Sequence, residues 1–527
     1  MIFNEADELA ELLKGIFPVY LLIALPLFII ISPVCPVTAS HEFPVYRMQQ
    51  YDLHGVPHGC RSAPVNLEAR SLSSWSTGRH CVVARMQDIS ADQFREIRAK
   101  AGALLVALPR DLSTLTDKQK QDLIQLEKGM LYQEVFIPVY FAVWTPELQT
   151  ILDDVAHSKL TDEKAGTAAQ ALLHSVSANG YQIVINTNKA SPRIDVNIAS
   201  IQGKLSGYGV EDKLPTIAIV AHYDSFGIAP ELAFGAESNG SGVVLLLELV
   251  RLFANLYASS STFARANLLF LLSGGGKLNY QGSKKWLEDN LDAVDGSLLQ
   301  DASFVICLDS IAQKGTLNVH VSKPPKEGSA AANFLKELET ASENKAKVEM
   351  IHKKINLKEE VLAWEHERYS IRRLPAFTLS SIRSHKDPTR GTILDVKKNL
   401  NMDALMQNAR IVAQALSSHI YNISTPMSAF SEDMGVEEES MRILLDFLAS
   451  QPRAAQLLAE KNNALVSSLH DIMSRYLKDV KVTYQVADKR DPEFVFYDVS
   501  KSTVNVYSVK PAVFDLFLHS RLLSTLG

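Results

Sequence analysis

His222 and Asp224 form a His-x-Asp pair at the end of an apolar run, "LPTIAIVAHYDSFG". Asp309 closes a second apolar run, "ASFVICLDS", and His366 stands in "AWEHERYSIRRLPAFTL". Imidazole and carboxylate at the ends of buried strands are the donors of a hydrolytic metal centre. A zinc pair of that kind needs a carboxylate shared by both metals, two further protein ligands for each, and a base for the bridging water. Two stretches between these residues bear on that chemistry. One is "GAESNGSG", with Glu237 and Ser238; the other is "SGGGKL", with Gly276 and Lys277. The glycine run 274–276 lacks the Lys-Ser/Thr ending and helix start of a phosphate-binding loop, so it reads as a tight turn.

The elements that must position these residues alternate in type. "YQIVINT" and "RIDVNIASIQGKL" read as strands, "LPTIAIVAHYD" as a buried strand and "GSGVVLLLELVRLFANL" as an apolar helix. The strands "ANLLFLLSG", "ASFVICLDSI" and "TLNVHVSK" follow, interleaved with the helix "SKKWLEDNL" and helices near 330–343 and 396–421. Alternating strands and helices predict a mixed, largely parallel sheet covered on both faces, with sites at the carboxyl ends of strands. The expected architecture is therefore a three-layer α/β/α domain over 161–425. A small α/β lobe is expected over 41–160, from strands such as "HCVVARM" and "GALLVALP" and helices such as "SADQFREIRAKA". A helical and β segment is expected over 426–527.

Residues 1–40 stand apart. The run 16–37, "IFPVYLLIALPLFIIISPVCPV", carries no charge and is about long enough to span a bilayer, which takes ~20 apolar residues. It ends in small residues, so it is either a cleaved signal peptide or an uncleaved anchor. Two sequons, at Asn239 and Asn422, fit exposure in the secretory pathway. Of four cysteines, Cys60 and Cys81 flank a loop and are the natural disulfide pair in an oxidising compartment; two free thiols are the alternative. The chain has 527 residues and a net charge of −6 with no basic run, which argues against a nucleic-acid partner.

Five blocks carry a family resemblance: "AHYDSFG", "GAESNGSGVVLLLELVRLF", "LLFLLSGGGKLNYQGSKKW", "FVICLDS" and "WEHERYSIRRLPAFTL". In type and order the chain resembles the M28-type zinc aminopeptidases. Over nearly its whole length it is most similar to the nicalin branch, related to nicastrin. Residue by residue, the resemblance implies that His222 and Asp309 match ligands of the first metal and His366 a ligand of the second. Asp224 matches the carboxylate that orients the first histidine. It also puts Ser238 at the shared carboxylate, and Gly276 and Lys277 at the base and its neighbouring ligand. A hydroxyl cannot bridge two dications, and no carboxylate remains to serve as base. General-base help alone is worth ~10²–10⁴ in rate. The set His222, Asp224, Ser238, Gly276, Lys277, Asp309 and His366 is thus expected to be a vestige, with no catalytic residue, metal or other cofactor. Activity would require Glu237, one position early, to supply the bridge.

The resemblance further implies a non-catalytic endoplasmic reticulum membrane glycoprotein with most of its chain in the lumen. Its partners would be the Nodal modulator protein NOMO and a small multi-spanning membrane protein. The assembly would act at the ribosome-bound translocon in multipass membrane protein biogenesis, with a link to antagonism of Nodal signalling. An active zinc aminopeptidase and a nicastrin-like substrate gate of an intramembrane protease complex are the alternatives. Members of the branch end in a transmembrane helix, whereas this sequence runs from "KPAVFDL" to "HSRLLSTLG", so that helix is expected to be missing here.

Overall fold

The computed structural model describes residues 39–162, 180–193, 196–259, 263–291, 299, 302–423, 430, 435–486, 493–498 and 501–509. The N-terminal apolar run, the helix expected over "DEKAGTAAQALLHSVSANG" (all but its ends) and the residues after 509 lie outside the described set.

An eight-stranded sheet forms the main layer, in the order Lys347–His352, Thr316–Val321, Ala376–Ser380, Ala302–Leu308, Thr216–His222, Asn267–Ser273, Asn197–Leu205, Lys478–Val486. Its centre, from Ala376–Ser380 to Asn267–Ser273, is parallel, and antiparallel pairs lie to either side. Every residue of Thr216–His222 and Asn267–Ser273 is buried, which is why these strands read as unbroken apolar runs. Helices Gly242–Ala258, Ala330–Ser342, Met402–Tyr421, Glu438–Ala449 and Ala464–Ser474 cover one face. Helices Gln281–Leu291 and His366–Ile371 cover the other through Trp286, Leu287 and Tyr369. The fold is the expected α/β/α arrangement. The helical stretch Ala236–Ala258 is long and apolar enough to cross a membrane, but it is a core segment: most of it is buried inside the protein.

The small lobe differs from expectation in how the chain builds it. Its strands close into a barrel in the order His41–Arg47, Lys501–Val509, Gly180–Ile185, Val65–Arg70, His80–Arg85, Ala103–Ala107, Val139–Ala142. Strands from either side of the main sheet thus complete a lobe expected to end near 160. The segment expected as a unit from 426 onward is likewise shared out. Lys478–Val486 extends the main sheet, Phe494–Tyr497 joins a small five-stranded sheet, and Lys501–Val509 closes the barrel. These pairings are between residues hundreds of positions apart, so no local pattern announces them.

Cys60 and Cys81 are both buried free thiols, which corrects the expected disulfide. Cys60 packs with Met48, Leu126 and Val139, whereas Cys81 packs in a separate cluster with Val45, Leu105 and Val506. Cys60 ends strand Val56–Cys60 of a separate sheet and Cys81 lies on a barrel strand, and thiols packed in two different clusters are not placed to bridge.

The two lobes meet at a buried carboxylate. Glu127, on helix Asp117–Leu131, accepts a hydrogen bond from the Ile393 amide at 2.9 Å, and its other oxygen has no partner among the described residues. Burial pushes its pKa up to about 8. The unfolded chain releases this proton near 4.5 and the folded chain holds it to about 8. Its stabilising contribution is therefore complete below 4.5 and is lost as pH rises toward 8, at ~1.4 kcal/mol per pH unit in the limit of one proton. Glu127→Gln keeps the acceptor for Ile393 and removes the proton. Denaturant titrations at pH 5, 6.5 and 8 should show a pH slope shallower by about one proton than that of the parent chain. Equal slopes would refute the assignment.

Candidate functional site

The predicted residues do converge. His222 ends the strand Thr216–His222, Asp309 follows Ala302–Leu308, and His366 begins the short helix His366–Ile371; all three are buried. Asp224, Ser238 and Gly276 are buried as well, Gly276 directly against the His222 ring, and Lys277 follows on the turn after Asn267–Ser273.

What fills the pocket is cationic protein. The Arg390 guanidinium, from the 3₁₀ turn Pro388–Gly391, is ion-paired with Asp309 Oδ2. It also stacks 4.7 Å over the Trp364 ring and donates to the His385 carbonyl at 3.2 Å. Burial alone would raise the Asp309 pKa, but Arg390, with His222 and Lys277, reverses this and holds the carboxyl well below its usual range. Lys277 Nζ donates to Ser238 Oγ at 2.5 Å and to the Arg390 carbonyl at 3.3 Å. Burial and the neighbouring Arg390 lower its pKa to about 8. Sequence patterning did not find Arg390, which sits in "KDPTRG" with no periodicity and no motif.

Several expected roles change. Asp224 does not orient His222: its two oxygens accept from the Gly276 and Lys277 amides at 2.7 and 2.9 Å, fixing the turn that carries the lysine. The carboxylate beside His222 is Glu365, 3.4 Å from Nδ1, which accepts from Ser273 and Ser283 hydroxyls at 2.6 Å each. Its signal was present in "WEHE", directly before His366, and was missed. His366 Nδ1 pairs with Thr378 Oγ1 at 2.9 Å, and burial, with His320 and Lys353, lowers its pKa to about 3, so the ring is neutral. Glu237 is committed elsewhere: Oε1 accepts from the Ala312 amide at 2.9 Å, and burial, with Asp395 and Asp309, raises its pKa to about 8.

Asn239 is fully buried, which corrects the expected glycan there. Its amide donates to the carbonyls of His222 and Leu308, and its oxygen accepts from the Ser310 amide. It pins the two strand ends that carry His222 and Asp309. Asn422 is exposed and closes helix Met402–Tyr421 in the left-handed conformation. Arg453, from the C-terminal part of the chain, is also fully buried. It donates to the carbonyls of Tyr223, Leu448 and Gly235, tying down both ends of the loop between Asp224 and Ser238.

The residues present do not fit a zinc pair. Among the described residues no group of three or more His, Cys, Asp or Glu side chains is placed to hold a metal ion. Among the described residues the imidazole Nε2 atoms of His222 and His366 are buried without hydrogen-bond partners. Yet Asp309 is claimed by Arg390, and a catalytic zinc normally has three protein ligands. A glutamate cannot simply return at Gly276, because a Cβ there would stand 2.2 Å from the His222 ring.

The sequence profile of Peptidase family M28 matches residues 198–416. The chain is 47% identical to BOS complex subunit NCLN of Homo sapiens, over 99% of this chain and 95% of that protein. It is 33% identical to Nicalin of Caenorhabditis elegans, over 90% of this chain and 87% of that protein. The gamma-secretase component nicastrin has a similar fold, with a TM-score of 0.62 at 12% identity, covering 90% of this chain and all of nicastrin's.

Breaking a buried ion pair from one side leaves an uncompensated charge, at about 3–5 kcal/mol. Arg390→Met and Asp309→Leu should each destabilise by about that much in urea unfolding, and the double variant by clearly less than their sum. Additive losses would show that the pair is not coupled.

Proposed function

The chain belongs to the nicalin family, and from that premise we propose that it is a catalytically inert scaffold subunit of a membrane protein complex. The observation that carries this is the pair of protein cations in the vestigial pocket: Arg390 on Asp309 and Lys277 on Ser238. A guanidinium and an ammonium repel dications and offer neither a Lewis acid nor a water nucleophile. The carboxylates nearby are held by protein groups: Glu237 Oε1 accepts from the Ala312 amide, and Glu365 accepts from the Ser273 and Ser283 hydroxyls.

With catalysis absent, function falls to surfaces. The human relative's name identifies it as a subunit of the BOS complex, and we extend that role to this chain. The finer version follows the family: residence in the endoplasmic reticulum membrane with the bulk of the chain in the lumen, and assembly with NOMO and a multi-spanning partner at the ribosome-bound translocon. A role in multipass membrane protein biogenesis and a link to Nodal antagonism would follow from that assembly. A glycan on exposed Asn422 fits the same compartment.

The full chain, purified in mild detergent from a secretory host, should contain close to no zinc by mass spectrometry of the metal, and should not turn over aminoacyl anilides with zinc added. NOMO should co-purify from the same extract. Stoichiometric zinc with turnover would overturn the inert assignment. A chain recovered alone, where a full-length family member retains NOMO, would overturn the scaffold assignment.

A further inference from the structure

The two ends of the described chain leave the barrel side by side. His41–Arg47 pairs antiparallel with Lys501–Val509, with His41 opposite Val506. The Ser40 amide donates to the Val506 carbonyl at 2.8 Å, and the Ser508 amide to Ser40 Oγ at 3.1 Å. The charge-free run 16–37 is joined to the chain just before this point, and "KPAVFDLFL" just after it. Whichever segment holds the protein to a bilayer, the tether is attached at one rim of the barrel.

Strand directions say what else is on that rim. Val65–Arg70, His80–Arg85, Ala103–Ala107 and Val139–Ala142 are mutually parallel, and Val139–Ala142 runs antiparallel to His41–Arg47. In a closed, tilted barrel their carboxyl ends therefore share the rim with the two chain ends. There Val143 is 48% exposed, and the Arg110 guanidinium lies 4.8 Å over the Trp144 ring. An exposed aliphatic residue with a Trp–Arg pair is the composition of a headgroup-level contact: indole favours the interface, and arginine keeps its charge at the phosphates. At the opposite rim Phe136 is 66% exposed but is far from both chain ends, at the other end of Val139–Ala142.

We propose that the barrel rim carrying Ser40, Val509, Val143, Trp144 and Arg110 lies on the bilayer surface, with the rim carrying Phe136 turned away from it. This rests on the membrane-subunit assignment above and adds an orientation to it. The surface is a lipid contact that would hold the lobe upright on its tether.

The test uses the full chain with Cys35→Ser, in phosphatidylcholine–phosphatidylserine vesicles. Cys60, Cys81 and Cys307 are buried and should stay unlabelled. A nitroxide is attached at Val143→Cys or, separately, at Phe136→Cys. At 143, collisions with lipid-soluble oxygen should exceed those with a water-soluble nickel chelate several-fold, and at 136 the ratio should reverse. Water-like ratios at both positions in a chain that floats with vesicles would overturn the orientation alone. Lipid-like ratios only at 136 would invert it. A chain that fails to float would remove the membrane assignment and this inference with it.

Discussion

The Asp309–Arg390 pair is the constraint around which the pocket is built. A carboxylate at the end of a central parallel strand, 1% exposed, has to be neutralised by something. In a metallopeptidase the metal does this. Here a guanidinium does, brought across the pocket by a short turn and held flat against Trp364. That substitution explains why Asp309 remains a carboxylate with its pKa held down. It also keeps the buried strand end neutralised with a charge carried on the chain itself.

The same logic extends outward. Lys277 places a second cation next to Ser238, on a turn fixed by Asp224. Gly276 allows the turn to pass directly against His222. Asp395 accepts from the Glu237 and Ser238 amides, and Asn239 and Arg453 bind carbonyls around the loop. Nearly every polar group of a former reaction centre has thus been given a structural hydrogen bond. Among the described residues the exceptions are His222 Nε2, His366 Nε2, Glu237 Oε2 and Arg390 Nε, all buried without hydrogen-bond partners.

What could be read in the sequence follows from how local each signal is. The central strands were legible because burial on both faces makes them unbroken apolar runs, and such runs ended at His222 and Asp309. The lack of a carboxylate at Ser238, Gly276 and Lys277 was legible because it depends only on residue types. Arg390 was not, because it lies 81 positions from its partner in an irregular turn. The barrel was not, because its first strand pairs with its last across the whole chain. The sequon at Asn239 misled because a three-residue motif carries no information about burial.

A pocket maintained for catalysis keeps strained or unpaired groups and an open metal position. This pocket is closed by its own cations and by a C-terminal arginine that is 0% exposed. Arg453 matters most here, because it lies on the segment that leads through Lys478–Val486 to the barrel strand Lys501–Val509. The loop between Asp224 and Ser238 and the closure of the barrel are thereby joined by one stretch of chain. The hydrogen bonds of Asn239, Asp395 and Arg453 thus fix the strand ends at His222 and Leu308 and the loop beside them as one unit.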